Sequence, residues 1–247
     1  MERSKRRDLA IVAAAWLVLT IVVEWWAFQA SLHPEGASDE AEIIDGAFDL
    51  LFYLGIPVLT FVLVVLVYSV WRFRSSDGSD GPAVKDDRRF SWSWLVVTAG
   101  LAVFVTINPG LKGLAELAAD DEAPDLTVEV TAEQWNWTFS YVDHDLTMEK
   151  ADELVLPQGE RILLRVTSTD VIHSLWIPAF RVKIDAVPGR VNDVYMTPTR
   201  AGGFATDSQF RIQCAELCGT GHPRMRADVS VVSPGEFDSW IEEQGRQ

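Results

Sequence analysis

Four side chains that bind soft metal ions lie within twelve residues near the C-terminal end of the sequence: Cys214, Cys218, His222 and Met225. Thiolate, imidazole and thioether groups select copper over hard cations such as magnesium and calcium. The two cysteines are four residues apart, so one tight turn can direct both sulfur atoms to the same point. The imidazole of His173, further upstream, offers another ligand. These residue types at this spacing predict a copper site.

Each of these residues also has an ordinary structural explanation. The sequence contains only two cysteines, and a lone pair in an exported domain is commonly a disulfide. His173 lies in an apolar stretch and, taken alone, would be a satisfied core histidine, while Met225 alone would be core packing. Gly219 and Gly221 are expected to give the turn its freedom at positive φ. The clustering of the donors favours the metal site over these explanations.

The net charge limits the partners. The chain has 247 residues and a formal net charge of −15, a balance that argues against nucleic acid and anionic lipid. It suits a basic protein partner or a high-salt environment, although an acidic surface can also be merely solvated. The length fits one extramembrane domain together with membrane segments better than two full domains.

Three apolar segments predict a membrane-anchored N-terminal part. Residues 1–30 begin with basic side chains and form either a retained transmembrane helix or a signal peptide. Residues 50–71 carry no charge and are long enough to cross a bilayer, with a buried helix as the alternative. Residues 92–115 form the third segment and contain an Asn-Pro-Gly interruption. The basic loop between the last two segments, which includes Lys85, belongs inside, so the residues after 118 belong outside.

After residue 118 the long apolar segments give way to short stretches of alternating apolar and polar residues. Residues 120–124 are a linker, and short turn-punctuated stretches that alternate apolar and polar residues predict an antiparallel β-sandwich. These stretches are 126–130, 135–139, 162–166, 191–196 and 227–231. Ser233 as N-cap, Pro234 at the first helical position and Glu236 two residues later predict a last helix. The domains are therefore 1–30, a helical hairpin within 31–118, and an external domain at 119–247.

The pattern C-x-E-x-C-G-x-x-H-x-x-M at 214–225, preceded by His173, resembles the binuclear copper (CuA) site of subunit II of haem-copper cytochrome c oxidases. The resemblance covers roughly 48–245 and is strongest at 134–141, 170–190 and 214–225. It implies a membrane-anchored all-β fold, with a transmembrane helical hairpin, an extra N-terminal helix or signal segment, and a cupredoxin-like Greek-key β-sandwich.

The resemblance also implies the roles of the ligands. Cys214 and Cys218 would each bridge both coppers, so that one electron is shared and bond lengths change little on reduction. The implied ligand set is His173, Cys214, the main-chain carbonyl of Glu216, Cys218, His222 and Met225. His173 and Met225 would complete one copper site. The carboxylate of Glu216 would help hold a magnesium ion at the contact with subunit I, since hard cations prefer oxygen ligands.

Three further residues match the family's electron-accepting surface. Trp135 matches the residue through which an electron arrives from cytochrome c, although a tryptophan in a strand is often only core or surface. Asp170 and Asp185 match positions where the family places carboxylates that dock the donor. Such carboxylates would steer a cationic donor and would be screened by salt. At high salt the donor could instead be a small blue-copper protein.

The function implied is that of subunit II of a terminal respiratory oxidase, an oxidoreductase and translocase. The chain would lie in the cell membrane with its copper domain on the outer face. It would pass electrons to haem in subunit I, where oxygen is reduced to water and protons are translocated. Its partners would be subunit I, further oxidase subunits and membrane lipid. One departure from the family is that residues 89–92 lack the carboxylate often found at the mouth of a proton path.

Four alternatives remain open from the residues. A copper-bearing subunit of a nitric oxide reductase would keep all six ligands. A quinol oxidase subunit II would share the fold, but it lacks the copper ligands. A membrane-tethered single-copper carrier would need only one cysteine. A disulfide-stapled binding module would hold no metal.

Overall fold

The computed structural model describes residues 2–30, 33–74, 88–118 and 123–246. The chain divides into two compact units: Met1–His33 with Gly46–Glu116, and Pro34–Asp45 with Leu117–Gln247. The predicted fold class, apolar N-terminal helices followed by a cupredoxin-like β-sandwich, is confirmed. Two expectations, the basic loop with Lys85 and most of the linker at 120–124, lie outside the described residues.

The N-terminal helices are α1 (Glu2–Gln29), α2 (Asp39–Arg72) and α3 (Arg88–Val105). A short π-helical segment, Thr106–Leu111, and α4 (Lys112–Ala118) continue α3. By length and composition, Lys5–Gln29, Asp39–Arg72 and Arg88–Ala118 are each able to cross a membrane. The expected interruption falls at Asn108, whose φ of −134° and ψ of 110° leave the helical region just before Pro109.

Helix α2 begins at Asp39, well before the apolar stretch that starts at residue 50. Asp39, Glu40 and Glu42 occupy its first turn, where negative side chains complement the positive end of the helix dipole. A hydropathy argument finds only the part of a helix that suits lipid, so it misses this polar extension.

Helices α1 and α2 are joined by polar contacts at three levels. These are Trp16 Nε1 to the Pro57 carbonyl at 2.9 Å, Thr20 Oγ1 to Thr60 Oγ1 at 2.7 Å, and Tyr68 OH to Asp8 Oδ1 at 2.9 Å. Hydrogen bonds between apolar helices hold them together where water offers no competing partner. The first helix therefore packs as a part of the helical unit.

The second unit is a sandwich of two sheets. The first sheet has the strand order β3-β2-β1-β5-β8, and the second has the order β4-β11-β10-β6-β7, with β9 paired to β11. The strands are β1 (Leu126–Glu133), β2 (Asn136–Tyr141), β3 (Leu146–Met148), β4 (Glu153–Pro157), β5 (Ile162–Ser168), β6 (His173–Ile177), β7 (Val182–Ala186), β8 (Asn192–Met196), β9 (Gly202–Gly203), β10 (Arg211–Cys214) and β11 (Arg226–Val232). Two pairs, β1 with β5 and β11 with β4, are parallel, so the expectation of a wholly antiparallel sandwich is corrected.

The core lies between the two sheets. Along β1, β2 and β5 every second side chain is buried, because successive residues of a strand point to opposite faces. Trp137, Phe139 and Tyr141 of β2 all face inward. The hydroxyl of Tyr141 donates to the carbonyl of Val155 at 3.0 Å and accepts from its amide at 3.1 Å, so this buried polar group is satisfied.

The chain ends in helix α5 (Pro234–Gln244), which begins as predicted. The Ser233 hydroxyl accepts from the amide of Glu236, and the Glu236 carboxylate accepts from the amide of Ser233. This capping box satisfies amides that the first turn would otherwise leave free. The rings of Phe237 and Trp240 then pack against Tyr141.

The segment Pro34–Asp45 belongs to the same unit as the sandwich. The amide of Ala37 donates to the carbonyl of Ala179 at 2.8 Å, and the carbonyl of Ala37 accepts from Thr199 at 2.9 Å. Arg181 forms a bidentate ion pair with Asp45, with nitrogen–oxygen distances of 2.7 and 2.9 Å. The first residues of α2 and the polar residues before them are therefore built into the second unit.

Candidate metal centre

Two neighbouring strands bring the distant histidine to the cysteines. Strand β6 begins at His173, and β10 ends at Cys214, which pairs with Leu175 in the antiparallel register. The loop after β10 returns through a 3₁₀ turn at His222–Arg224 to β11. The amide of Cys214 donates to the carbonyl of Met225 at 3.0 Å, which closes the two ends of the loop. The loop is thus anchored on both sides by sheet structure.

The six residues of the predicted ligand set lie together. Their contacts are Cys214 Sγ to Cys218 Sγ at 3.7 Å, Cys214 Sγ to His173 Nδ1 at 3.9 Å, Cys218 Sγ to His222 Nδ1 at 3.6 Å, Cys218 Sγ to Met225 Sδ at 3.9 Å, and Cys214 Sγ to the Glu216 carbonyl at 3.2 Å. Donor atoms of His173, Cys214 and Cys218 all lie within 4.8 Å of one another, and all three residues are buried.

These spacings fit ligands of shared metal ions. Bonds of about 2.3 Å to sulfur and about 2.0 Å to nitrogen place two ligands of one tetrahedral metal roughly 3.5 to 3.8 Å apart. The observed sulfur–sulfur distance of 3.7 Å and sulfur–nitrogen distance of 3.6 Å lie within that range, and the second sulfur–nitrogen distance, 3.9 Å, lies just above it. Both cysteines are free thiols, so the structure has no disulfide between Cys214 and Cys218. The donor set is the soft one that suits copper.

A metal ion bound at the buried thiols would have to displace their protons. Burial, followed by the neighbouring Cys214 thiol, raises the pKa of Cys218 to about 12. A thiol with such a pKa stays protonated at neutral pH unless a positive charge stabilises its thiolate. A metal ion that displaces the proton supplies this charge, and metal binding at such a site releases protons.

His173 is held from its far side. Its Nδ1 faces Cys214, and its Nε2 lies 2.9 Å from Oδ1 of Asp170. Burial alone would raise the pKa of Asp170, but hydrogen bonds from His173, Val171 and Gln134 outweigh it and lower the pKa. Asp170, expected on the surface as a docking carboxylate, is exposed there and also bonds to a buried member of the predicted ligand set.

Trp135 lies against the loop and remains partly exposed. Its Nε1 donates to the carbonyl of Cys218 at 3.1 Å, and the side chain of Gln134 donates to the same carbonyl at 2.7 Å. The indole covers Gly221 so closely that a Cβ atom there would lie 2.2 Å from Trp135 Cδ2.

The two glycines of the loop have different roles. Gly219 adopts a φ of 114°, as expected for a turn that needs the left-handed region. Gly221 has a φ of −88°, so the expectation of a positive φ there is wrong. A glycine is required at this position because the Trp135 ring occupies the space that a side chain would need. A sequence pattern cannot show such a contact, because the ring comes from the turn between β1 and β2, far away in the chain.

The remaining predicted residues lie on the surface. Asp185 is exposed on β7, opposite Ser174 in the pairing of β6 with β7. The side chain of Glu216 is exposed, while its carbonyl faces Cys214. Two residues not singled out earlier contact the site: Gln134, through Cys218, and Trp137, whose buried ring meets that of His173 edge-on with centroids 6.5 Å apart.

Comparison with known proteins gives a consistent result. The profile of the family described as "Cytochrome C oxidase subunit II, periplasmic domain" matches residues 144–232. Cytochrome c oxidase subunit 2 of Cereibacter sphaeroides is 30% identical, over 87% of this chain and 79% of its own length. Cytochrome c oxidase subunit 2 of Thermostichus vulcanus is 28% identical, over 92% of this chain and 82% of its own. The crystal structure of the periplasmic domain of subunit II of cytochrome oxidase from Bradyrhizobium japonicum is 34% identical, covers 51% of this chain and 96% of that domain, and superposes with a TM-score of 0.46.

Proposed function

This chain belongs to the cytochrome c oxidase subunit II family, and we propose that it accepts electrons from an external carrier at a binuclear CuA centre and passes them to haem in subunit I. The observation that carries the proposal is the arrangement of the thiols. The two sulfur atoms lie 3.7 Å apart, and each is next to a different imidazole. Such a pair suits two metal ions that share both sulfurs.

Bound copper would supply a reversible one-electron couple; the chain supplies the surroundings. His173, Cys214 and Met225 are buried among the strands of the sandwich, which excludes water from the metal. Ligands held by sheet structure on both sides of the loop change position little when the charge of the site changes. The Glu216 carbonyl, which lies beside Cys214, and His222, which lies beside Cys218, would complete the set. These residues would hold and orient the metal, and the chain itself would transfer electrons without making or breaking covalent bonds of a substrate.

Electron transfer from the donor would occur through Trp135. Its indole is partly exposed and touches the loop by a hydrogen bond to Cys218, so it joins the surface to the site. Asp185, exposed on β7, would contribute negative charge for a cationic donor such as cytochrome c. A small blue-copper protein is the other candidate donor.

The helical unit would anchor the chain in the cell membrane. Three helices have the length and apolar composition to cross it, and the contacts between α1 and α2 support α1 as a third membrane helix. With its basic N-terminus inside, the chain would place the copper domain on the outer face. Subunit I, further oxidase subunits and lipid would be its partners. The exposed carboxylate of Glu216 would help bind magnesium at the contact with subunit I.

The test is electron paramagnetic resonance of the copper-loaded full-length chain in detergent, together with its copper content. A binuclear centre is expected to give two copper ions per chain and hyperfine splitting from two equivalent copper nuclei. Splitting from one copper nucleus would instead support a single-copper carrier, and a metal-free protein would overturn the proposal. With subunit I present, oxygen uptake rather than nitric oxide consumption is expected to separate the oxidase from a nitric oxide reductase.

A further inference from the structure

Asp170 is an exposed residue whose side chain has the geometry of a support for His173. Its side chain is 31% exposed, while that of the adjacent His173 is 0% exposed. Oδ1 accepts from the amide of Val171 at 2.6 Å and lies 2.9 Å from His173 Nε2. Oδ2 accepts from the amide of Gln134 at 2.7 Å. With both oxygens engaged by groups of its own chain, the carboxylate is fixed in position and its charge is partly compensated.

Gln134 connects this carboxylate to the other side of the site. Its amide nitrogen donates to Asp170, and its side-chain Nε2 donates to the carbonyl of Cys218 at 2.7 Å. One residue in the connection between β1 and β2 therefore touches both segments that carry the predicted ligands. The result is a continuous chain of hydrogen bonds: His173 to Asp170, Asp170 to Gln134, and Gln134 to Cys218.

We propose that Asp170 and Gln134 are positioning residues of the metal centre, a role that rests on the function proposed above. Asp170 keeps the proton of His173 on Nε2, which leaves the lone pair of Nδ1 directed toward Cys214. Gln134 holds the Cys218 carbonyl, and with it the loop, at a fixed distance from that histidine. A carboxylate behind a metal-bound imidazole fixes its tautomer and increases its donation to the metal.

Asp170 and Asp185 are expected to act in different ways. A docking carboxylate acts through the charge that it presents to a partner, and its effect is screened by salt. Asp170 instead acts on the ligand, so its influence on the metal is expected to be independent of the donor and of ionic strength. A more strongly donating His173 stabilises the oxidised metal, so loss of the carboxylate is expected to raise the reduction potential.

The first experiment uses the metal-free full-length chain and does not depend on copper. Nitrogen-15 NMR of the histidine rings is expected to show His173 as the Nε2-protonated tautomer in the unsubstituted protein. In Asp170→Ala, all four hydrogen bonds that the carboxylate accepts, from Gln134, Ser168, Val171 and His173, are lost. A change in the tautomer or in the exchange of the Nε2 proton supports the proposal, and an unchanged His173 signal overturns it.

The second experiment uses the copper-loaded chain. Asp170→Asn is expected to weaken copper binding by about 10- to 100-fold, the usual effect of removing such a partner, and to raise the reduction potential. Asp193→Asn removes the same charge from an exposed position on β8 and is expected to change neither quantity. If Asp170→Asn leaves affinity, potential and spectrum unchanged but lowers the salt dependence of the donor reaction, as Asp185→Asn is expected to do, Asp170 is a docking residue.

Gln134→Leu keeps the backbone amide that serves Asp170 and removes only the bond to Cys218. It is expected to alter the copper spectrum without changing the tautomer of His173, and an unaltered spectrum would remove Gln134 from the proposal. This variant also serves if Asp170→Asn fails to fold. If the unsubstituted chain binds no binuclear copper, the proposed function fails, while the NMR result on His173 still decides the role of Asp170.

Discussion

The indole nitrogen of Trp135 donates a hydrogen bond to the carbonyl oxygen of Cys218 across 3.1 Å. Cys218 carries one of the two sulfur atoms of the predicted centre, so a single hydrogen bond separates a partly exposed aromatic ring from a ligand residue. This contact connects the surface of the domain with its buried site, and the first two predictions concern it.

Trp135→Phe is expected to slow electron acceptance from the donor and to leave the copper content unchanged. Phenylalanine lacks the ring nitrogen and cannot form the bond to Cys218, whereas the metal donors stay in place. Stopped-flow reduction by the donor would measure the rate. Trp240→Phe, the same change in a ring that packs on Tyr141, is the matched control and is expected to keep the original rate. Equal rates in both variants would remove Trp135 from the pathway.

Gly221→Ala is expected to displace the Trp135 ring. A Cβ atom at 2.2 Å from Trp135 Cδ2 cannot be accommodated, and overpacking of this kind destabilises a protein by about 1–3 kcal/mol. Gly235→Ala is the control, because a Cβ there meets no atom of the described chain within 4 Å. In the first turn of α5 alanine is expected to be neutral or stabilising. Thermal unfolding monitored by tryptophan fluorescence would show a lower unfolding midpoint for Gly221→Ala and an unchanged or higher midpoint for Gly235→Ala.

Cys218→Ser is expected to abolish the splitting from two equivalent copper nuclei. A serine hydroxyl is not deprotonated at neutral pH and does not bridge two soft metal ions as a thiolate does. The measurement is electron paramagnetic resonance of the copper-loaded variant. Persistence of the two-nucleus pattern would contradict the bridging role of this sulfur.

Arg181→Met is expected to destabilise the second unit by about 3–5 kcal/mol, because it removes the bidentate ion pair that Arg181 forms with the carboxylate of Asp45. Both side chains are about 15% exposed. Arg165→Met is the control. Its ion pair with Glu129 is much more exposed, and such pairs contribute about 0–1 kcal/mol. Denaturant unfolding of the two variants would compare them, and similar losses would contradict this difference.

The pH dependence of stability is expected to include a contribution from Asp207. The hydrogen bond from Arg200, followed by that from the amide of Gln209, lowers the pKa of Asp207. A lowered folded-state pKa means that this stabilisation is present at neutral pH and is lost as the pH falls through that pKa. Asp207→Asn is therefore expected to destabilise the protein near neutral pH and to have little effect in acid. A difference from wild type that is constant between the two pH values would contradict the prediction.

The clustering of the candidate ligands was predictable because most of them are close together in the sequence. His222 and Met225 follow Cys218 within one loop, so their proximity is a local property. The strands that were predicted, such as β1 and β5, alternate in burial along their length. The start of α5 followed from a cap whose partners are three residues apart.

The features that the sequence did not reveal all depend on contacts between distant segments. The bond of Asp170 to Gln134 joins residues 36 apart, so the sequence indicated the docking role of that aspartate and not its hydrogen bonds around the site. The pairing of Ala37 with Ala179 places a polar inter-helix segment within the sandwich, and no local pattern encodes it. The parallel pairing of β1 with β5 likewise follows from topology, because the alternation of a strand does not specify the direction of its neighbour.

The donors of the site are separated along the chain, since His173 precedes Cys214 by 41 residues. On the ribosome, therefore, the histidine is translated well before the thiols, and all the apolar helices are translated before either. Of the six candidate ligands, a nascent polypeptide interrupted between β6 and β10 carries only His173, and it carries neither thiol. The proposed centre can therefore assemble only after the loop between β10 and β11 has been translated.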